Sequence, residues 1–193
     1  MSRPREPEPG LRLVSALLRA GDPDGLWPGL VARMQALWGP VERVGADLPF
    51  DRTDFYRAEM GGPLVRRVAA FAELAPLDGL VEAKLACLAL EDGLRRPDGG
   101  RRVNLDPGLV TPERLVLATC KNFTHRVYLG RRVWADLTLV YTGGDWMVLP
   151  WTFPDYAAGP LREEITVLRA LCLDKLRRLR ITTSHQPEET PCP

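Results

Sequence analysis

The chain has 193 residues, 45% of them hydrophobic and 26% charged. That composition excludes global disorder, and the length is near that of one domain with a substantial core. No run approaches the roughly 20 apolar residues of a membrane span, and the opening MSRPREPEPG lacks an apolar signal core, so a cytoplasmic protein with no membrane partner is expected. The net charge of +1 hides an uneven distribution: residues 101–132 hold seven Lys/Arg against two Asp/Glu. A local excess of this kind attracts anions even where the total charge does not.

Residues 1–10, rich in proline and charge, read as a mobile arm. Leu11 to Leu18 reads as a buried strand, and Gly21-Asp22-Pro23-Asp24 as a turn whose Asp22 or Asp24 caps a helix. Leu26, Leu30, Met34 and Leu37 recur at helical spacing until Gly39-Pro40. Val44, Ala46, Leu48 and Phe50 alternate as in a strand, so the chain opens strand, helix, strand, the start of a ferredoxin-like sandwich. Thr53 or Asp54 caps a short helix through Met60. The segments Leu64 to Leu74 and Leu77 to Arg96 read as helices, ended by Pro97-Asp98-Gly99-Gly100.

The second half is richer in strand signals. Arg101 to Leu105 and Arg126 to Leu129 are short strands, the first ending at Pro107-Gly108. Thr111-Pro112-Glu113 carries a cap, a proline at the first helical position and an acid, and predicts a helix through about Thr119. Val133 to Tyr141 alternates, and Thr142-Gly143-Gly144-Asp145 turns it into a hairpin with Trp146 to Leu149. Leu161, Ile165, Leu168, Cys172, Leu176 and Leu179 mark a C-terminal amphipathic helix with a basic outer face. The reading is a single α+β domain over 11–180, with a mixed or antiparallel sheet covered by helices. The arm 1–10 and tail 181–193 are expected to be disordered.

Cys87, Cys120, Cys172 and Cys192 form no CxxC pair, so neither a zinc ribbon nor a thioredoxin-type site is written here. The first three fall at apolar positions and read as free thiols. The acids Asp51, Asp54, Glu59, Asp106, Asp136 and Asp155 match no metal motif, and no metal site is predicted.

Four motifs in order carry a family resemblance. They are Phe50-Asp51-x-Thr53-Asp54-Phe55-Tyr56-x-x-Glu59-Met60-Gly61, then Arg101-Arg102-Val103-Asn104-Leu105-Asp106-Pro107-Gly108, then Lys121 with His125-Arg126-Val127-Tyr128-Leu129, and last Leu149-Pro150-Trp151-Thr152-Phe153-Pro154-Asp155-Tyr156. Over residues 10–180 the chain resembles the bacterial domain-of-unknown-function family numbered 4416. Such proteins are often labelled GTP-binding, but the resemblance implies no activity or cofactor. The chain contains neither a GxxxxGK[ST] phosphate loop nor an Asn-Lys-x-Asp guanine reader. Where relatives tend to carry Lys-Asp, this chain has Lys121-Asn122-Phe123.

The segment 101–132 is the candidate site. Alternation puts Arg102, Asn104 and Asp106 on one strand face, and Lys121, His125 and Arg126 follow the next element toward the same place. Arg101, Arg102, Lys121 and Arg126 would contact a phosphate or carboxylate, while Asn104, Asp106 and His125 orient it. His125 and Asp106 are the candidates for proton chemistry, with Asp106, Asp136 or Asp155 orienting the imidazole. The Trp151 to Tyr156 run is either a base-stacking platform or aromatic packing on the core, and the second is favoured. The function expected is binding of a small phosphorylated or anionic ligand, nucleotides included. The alternative is an RNA- or protein-interaction module using the same basic patch without catalysis. Whether the protein is an enzyme is left open.

Overall fold

The computed structural model describes residues 3–53 and 55–184. Among these, nine strands form one sheet in which neighbours pair antiparallel. In chain order the elements begin β1 (Gly10–Arg19), α1 (Leu26–Trp38), β2 (Val41–Val44), β3 (Leu48–Pro49), α2 (Arg57–Met60) and β4 (Leu64–Ala75). After a 3-10 turn at Leu77–Gly79 come α3 (Leu80–Asp92), β5 (Val103–Val110), β6 (Arg114–Thr119), β7 (Arg126–Gly130), β8 (Val133–Thr142) and β9 (Asp145–Val148). The short α4 (Pro154–Ala157) and the long α5 (Gly159–Ser184) end the described chain. The spatial order is β2-β4-β1-β5-β6-β8-β7, with β3 beside β4 and β9 beside β8.

The central strand β1 is buried on both sides because both of its faces are apolar. Val14, Ala16 and Leu18 pack with Leu30 and Met34 of α1 and Cys87 of α3. Leu11 and Leu13 pack with Leu161, Ile165 and Leu168 of α5. Asp22 caps α1 by accepting hydrogen bonds from the Leu26 and Trp27 amides at 2.8 Å. At the β8–β9 hairpin, Gly143 and Gly144 have φ of 60° and 89°, the left-handed values a two-residue turn of this kind needs.

Two predicted helices are strands. Leu64 to Leu74 is β4, whose Val65, Ala69 and Phe71 face the α1/α3 core while Val68 and Ala70 face α5. A strand covered on both faces is apolar throughout, so its period of two is hidden. Thr111-Pro112-Glu113 is the turn that leads into β6, not the start of a helix. The Thr111 amide donates to the Arg114 carbonyl at 2.9 Å, closing a tight β5–β6 hairpin. The helix-like cap signature there is a hairpin turn, in which Thr111 Oγ1 bonds to Glu113 at 2.8 Å. The expected strand around Val44 to Phe50 is broken into β2 and β3.

β5 does not end at Pro107-Gly108; it runs on to Val110. Pro107 is tolerated there because, by alternation with Leu105, its nitrogen faces away from β1. The C-terminal helix extends to Ser184, beyond the boundary expected at residue 180. The Asp54 cap and Cys192 lie outside the described residues. Among the described residues no helix is long and apolar enough to cross a membrane.

Candidate functional site

The site is a split in the sheet. β5 and β6 hydrogen-bond only where Gly108–Val110 meets Leu115–Leu117. Before Gly108, β5 stays with β1, and after Leu117, β6 stays with β8. A cavity of about 570 Å³ occupies the divergence, within the roughly 300–1,000 Å³ of small-molecule sites.

Asn104 and Asp106 of β5 form one lip, and Ala118 to Lys121 form the other, backed by Arg126 and Asp136. Lys84, Leu88 and Glu91 of α3, spaced so that one helix face presents them, make the base. Residues of the 50–56 segment and Phe153 to Tyr156 close the cavity from the α5 side.

Splitting a sheet strands backbone groups that must find other partners. Here α3 supplies them. Glu91 Oε1 accepts from the Leu105 amide at 2.7 Å, and Lys84 Nζ donates to the Leu105 carbonyl at 2.7 Å and to Asp106 Oδ1 at 3.1 Å. Burial opposes the Lys84 ammonium, but Asp106 and then Glu91 outweigh it and hold its pKa above the usual lysine range. Burial likewise opposes the Asp106 carboxylate, yet Lys84 and Arg66 hold its pKa below the usual value. Glu91 is different: desolvation dominates, and its pKa is pushed up to about 6.

The other charges are also paired. Arg66, 6% exposed, donates to Asp155 at 2.5 Å and to Ser15 Oγ at 2.8 Å, between the rings of Phe50 and Tyr156. Arg101 grips both oxygens of Glu59 at 2.7 and 2.6 Å and donates to Asn104 Oδ1, whose amide reaches Asp106 Oδ2 at 2.8 Å. Arg126 donates to Asp136 and to the Lys121 carbonyl, both at 2.8 Å.

The lining holds six Lys/Arg against four Asp/Glu, and hydrogen-bonding capacity is left over on both kinds of group. Among the described residues Asp155 Oδ1 and Glu91 Oε2 accept no hydrogen bond, while both oxygens of Asp106 accept one each. Among the same residues, Nη2 of Arg66, Nη2 of Arg126 and the Lys121 ammonium donate none. The Tyr156 hydroxyl, in a side chain 1% exposed, faces Ser15 but makes no hydrogen bond of ordinary geometry among the described residues, and burial raises its pKa so that it stays protonated.

Of the seven predicted site residues, Arg101, Asn104, Asp106, Lys121 and Arg126 line the cavity. Arg102 and His125 do not. Arg102 precedes the first residue of β5, so strand alternation does not extend to it, and it turns to Asp24 at 3.4 Å. The His125 ring stacks on Trp151 at 4.8 Å between centroids, with Nε2 3.4 Å from Asp136, behind the cavity wall. Nδ1 is buried without a partner.

The positive excess of 101–132 is likewise dispersed: Arg131 pairs with Glu82 at 3.2 Å, and Arg114, Arg131 and Arg132 lie outside the cavity lining. Cys120, expected at an apolar position, is exposed, whereas Cys87 and Cys172 are buried. In the Trp151 to Tyr156 run only Tyr156, beneath Arg66, is in the core; Trp151 stacks on His125 and Phe153 lies under Arg126, and both keep exposed surface. Among the described residues no His/Cys/Asp/Glu group is arranged to hold a metal ion.

Sequence reasoning missed Lys84, Glu91, Arg66 and Tyr156. The signal for the first two was present. Lys84 and Glu91 fall on the same helical face as Ala83 and Cys87, and polar groups on a buried face need dedicated partners.

The family model described as Domain of unknown function (DUF4416) matches residues 10–171. The chain belongs to this family. No curated protein and no solved structure matches the chain. As a member of the DUF4416 family, it brings the second and third of its sequence motifs together across the split, at Asn104 and Asp106 on one side and Lys121 and Arg126 on the other.

Proposed function

We propose that the cavity binds a small anionic ligand, phosphorylated or carboxylated. The observation that carries this reading is the excess of positive charge in the lining. Both Asp106 oxygens are engaged within the protein, while Nη2 of Arg66, Nη2 of Arg126 and the Lys121 ammonium stay free in one concavity whose lining holds six Lys/Arg against four Asp/Glu. An oxyanion supplies the acceptors they lack. A nucleotide fits by volume, but its base would have to compete with the cations already lying on Phe50, Phe55, Tyr56, Phe153 and Tyr156. A compact anion is the better fit. The concave shape favours a small ligand over an RNA- or protein-docking stripe.

The test is thermal unfolding with phosphate, sulfate, acetate and nucleotides at matched ionic strength. A binding anion stabilises the fold by about 2.7 kcal/mol at a hundredfold excess over Kd, and Arg126→Ala removes most of that gain. No shift beyond chloride would overturn the reading.

We also infer a ferredoxin-like opening in a single domain. Supporting it, β1-α1-β2-β4-α3-β5 runs in spatial order β2-β4-β1-β5, and α1 and α3 share one face. Limited proteolysis that separates residues 11–110 from the rest as a folded piece would count against the single domain.

A further inference from the structure

The chain carries 26 Lys/Arg, of which only Lys84, Lys121 and Lys175 are lysines. Two of them are locked. Lys84 donates to the Leu105 carbonyl and pairs with Asp106; Lys175 donates to the Ala72 carbonyl at 2.7 Å and pairs with Glu42 at 2.8 Å. Among the described residues Lys121 makes neither kind of contact. Every other cation lining the cavity has a carboxylate partner, with Arg52 the weakest at 3.8 Å.

The Lys121 backbone is nevertheless anchored on both sides. Its amide donates to Thr119 Oγ1 at 3.2 Å, and its carbonyl accepts from Arg126 Nη1 at 2.8 Å. Its ammonium lies 4.2 Å from the centre of the Phe55 ring, at the exposed mouth of the cavity. An accessible amine with no carboxylate partner among the described residues, on anchored backbone beside an aromatic ring and in the same cavity as Arg66 and Arg126, is the arrangement of a covalent capture site.

We propose, building on the anion-binding reading, that Lys121 is a nucleophilic amine that captures the carbonyl carbon of a small α-oxo acid as an imine, the carboxylate being held by the free donors of Arg126 and Arg66. The unprotonated amine forms the C–N bond while the carbonyl electron pair moves to oxygen. The carbinolamine then loses water, which carries away the carbonyl oxygen and the two amine hydrogens and leaves C=N. No oxidant or reductant is consumed. Crowding of the ammonium by protein, and then the charge of Arg101, lower the pKa of Lys121 and so enlarge the fraction of free amine. Arginine could supply the charge here but not this chemistry.

The test incubates the full chain with pyruvate and cyanoborohydride, which reduces an imine to a stable amine, and maps adducts by peptide mass spectrometry. Expected is saturable labelling of Lys121, at least tenfold above Lys84, Lys175 and the N-terminus, competed by acetate and much weaker with acetone, which lacks the carboxylate. Lys121→Arg and Lys121→Gln abolish the labelling, and melting curves establish that both variants fold. Labelling spread evenly over all amines, or absent from Lys121, overturns the proposal. Thermal shifts with acetate and pyruvate separate the two readings. Stabilisation by both anions without an adduct leaves the anion site standing and removes the imine, whereas no stabilisation and no adduct removes both.

Discussion

Lys84 on α3 and Asp106 on β5 form an ion pair at 3.1 Å across the place where the sheet divides. Both side chains are deeply placed, with the lysine 6% and the aspartate 25% exposed. Removing one partner leaves the other's charge in the cavity base, and removing Lys84 also strips the Leu105 carbonyl of its partner. Lys84→Met should therefore cost about 3–5 kcal/mol in urea unfolding. The double variant Lys84→Met/Asp106→Asn should lie closer to the parent than the single one does. Additive losses would show that the two residues act independently.

Glu91 gives the fold a specific pH dependence. Its pKa rises from the ordinary 4.5 to about 6 on folding, so the folded state holds a proton that the unfolded chain releases. Its contribution is fully present below pH 4.5 and is lost as the pH climbs through about 6, the cost being the burial of the ionised carboxylate. Glu91→Gln keeps an acceptor for the Leu105 amide and removes this cost. The variant should gain roughly 2 kcal/mol over the parent at pH 7.5, with the difference vanishing near pH 4. Chemical denaturation at the two pH values checks it; a difference independent of pH would show that Glu91 does not titrate in this window.

The sequence made β1 and the outer elements legible, and β4 and β6 less so. The helix at Leu26–Trp38 and the hairpin through Gly143-Gly144 declared themselves, because each has one exposed side and so a visible period. β4 carries apolar residues on both faces, and its alanines resemble helix formers. At β6, three residues with cap chemistry preceded a six-residue run too short for a stable helix. The cavity was half visible for a related reason. Asn104, Asp106, Lys121 and Arg126 follow strand alternation or sit beside a turn, whereas Arg66, Lys84 and Glu91 are polar residues inside apolar stretches. Their partners are decided by the sheet order, which no local pattern encodes. Arg102 was misplaced by extending the alternation one residue past the start of β5.

Tyr156 separates folding from binding. Its buried hydroxyl faces Ser15 without a hydrogen bond of ordinary geometry among the described residues, and an unsatisfied buried polar group is costly. Tyr156→Phe should raise ligand-free stability by about 1 kcal/mol while reducing the stabilisation given by phosphate or acetate. A loss of ligand-free stability would mean that the hydroxyl has a partner, and with it a structural role.

Arg102 should be silent. Its contact with Asp24 is long at 3.4 Å and partly exposed, and such pairs contribute little. Arg102→Ala should change stability by less than about 0.5 kcal/mol and leave anion-dependent shifts intact. Loss of those shifts would place Arg102 at the ligand after all.

Gly108 sets where the sheet divides. A Cβ at this position would lie 2.7 Å from the Val116 carbonyl oxygen and 2.7 Å from a Leu117 methyl carbon. The methyl can rotate away, but the oxygen belongs to β6 backbone, which is held by β8 through Leu115 to Thr119. Gly108→Ala must therefore part β5 from β6 at the start of their short shared ladder, moving the divergence toward Val110. The expected cost is about 1–3 kcal/mol, the range for overpacking a filled interior. Because the lip bearing Asn104 and Asp106 moves relative to the lip bearing Lys121, anion-dependent stabilisation should weaken as well. Hydrogen exchange provides the finer readout, since amides of Gly108–Val110 and Leu115–Leu117 should lose protection while those of β1 and β4 keep theirs. Uniform loss of protection across the sheet would show instead that the substitution destabilises the whole fold and that the split has no separate hinge.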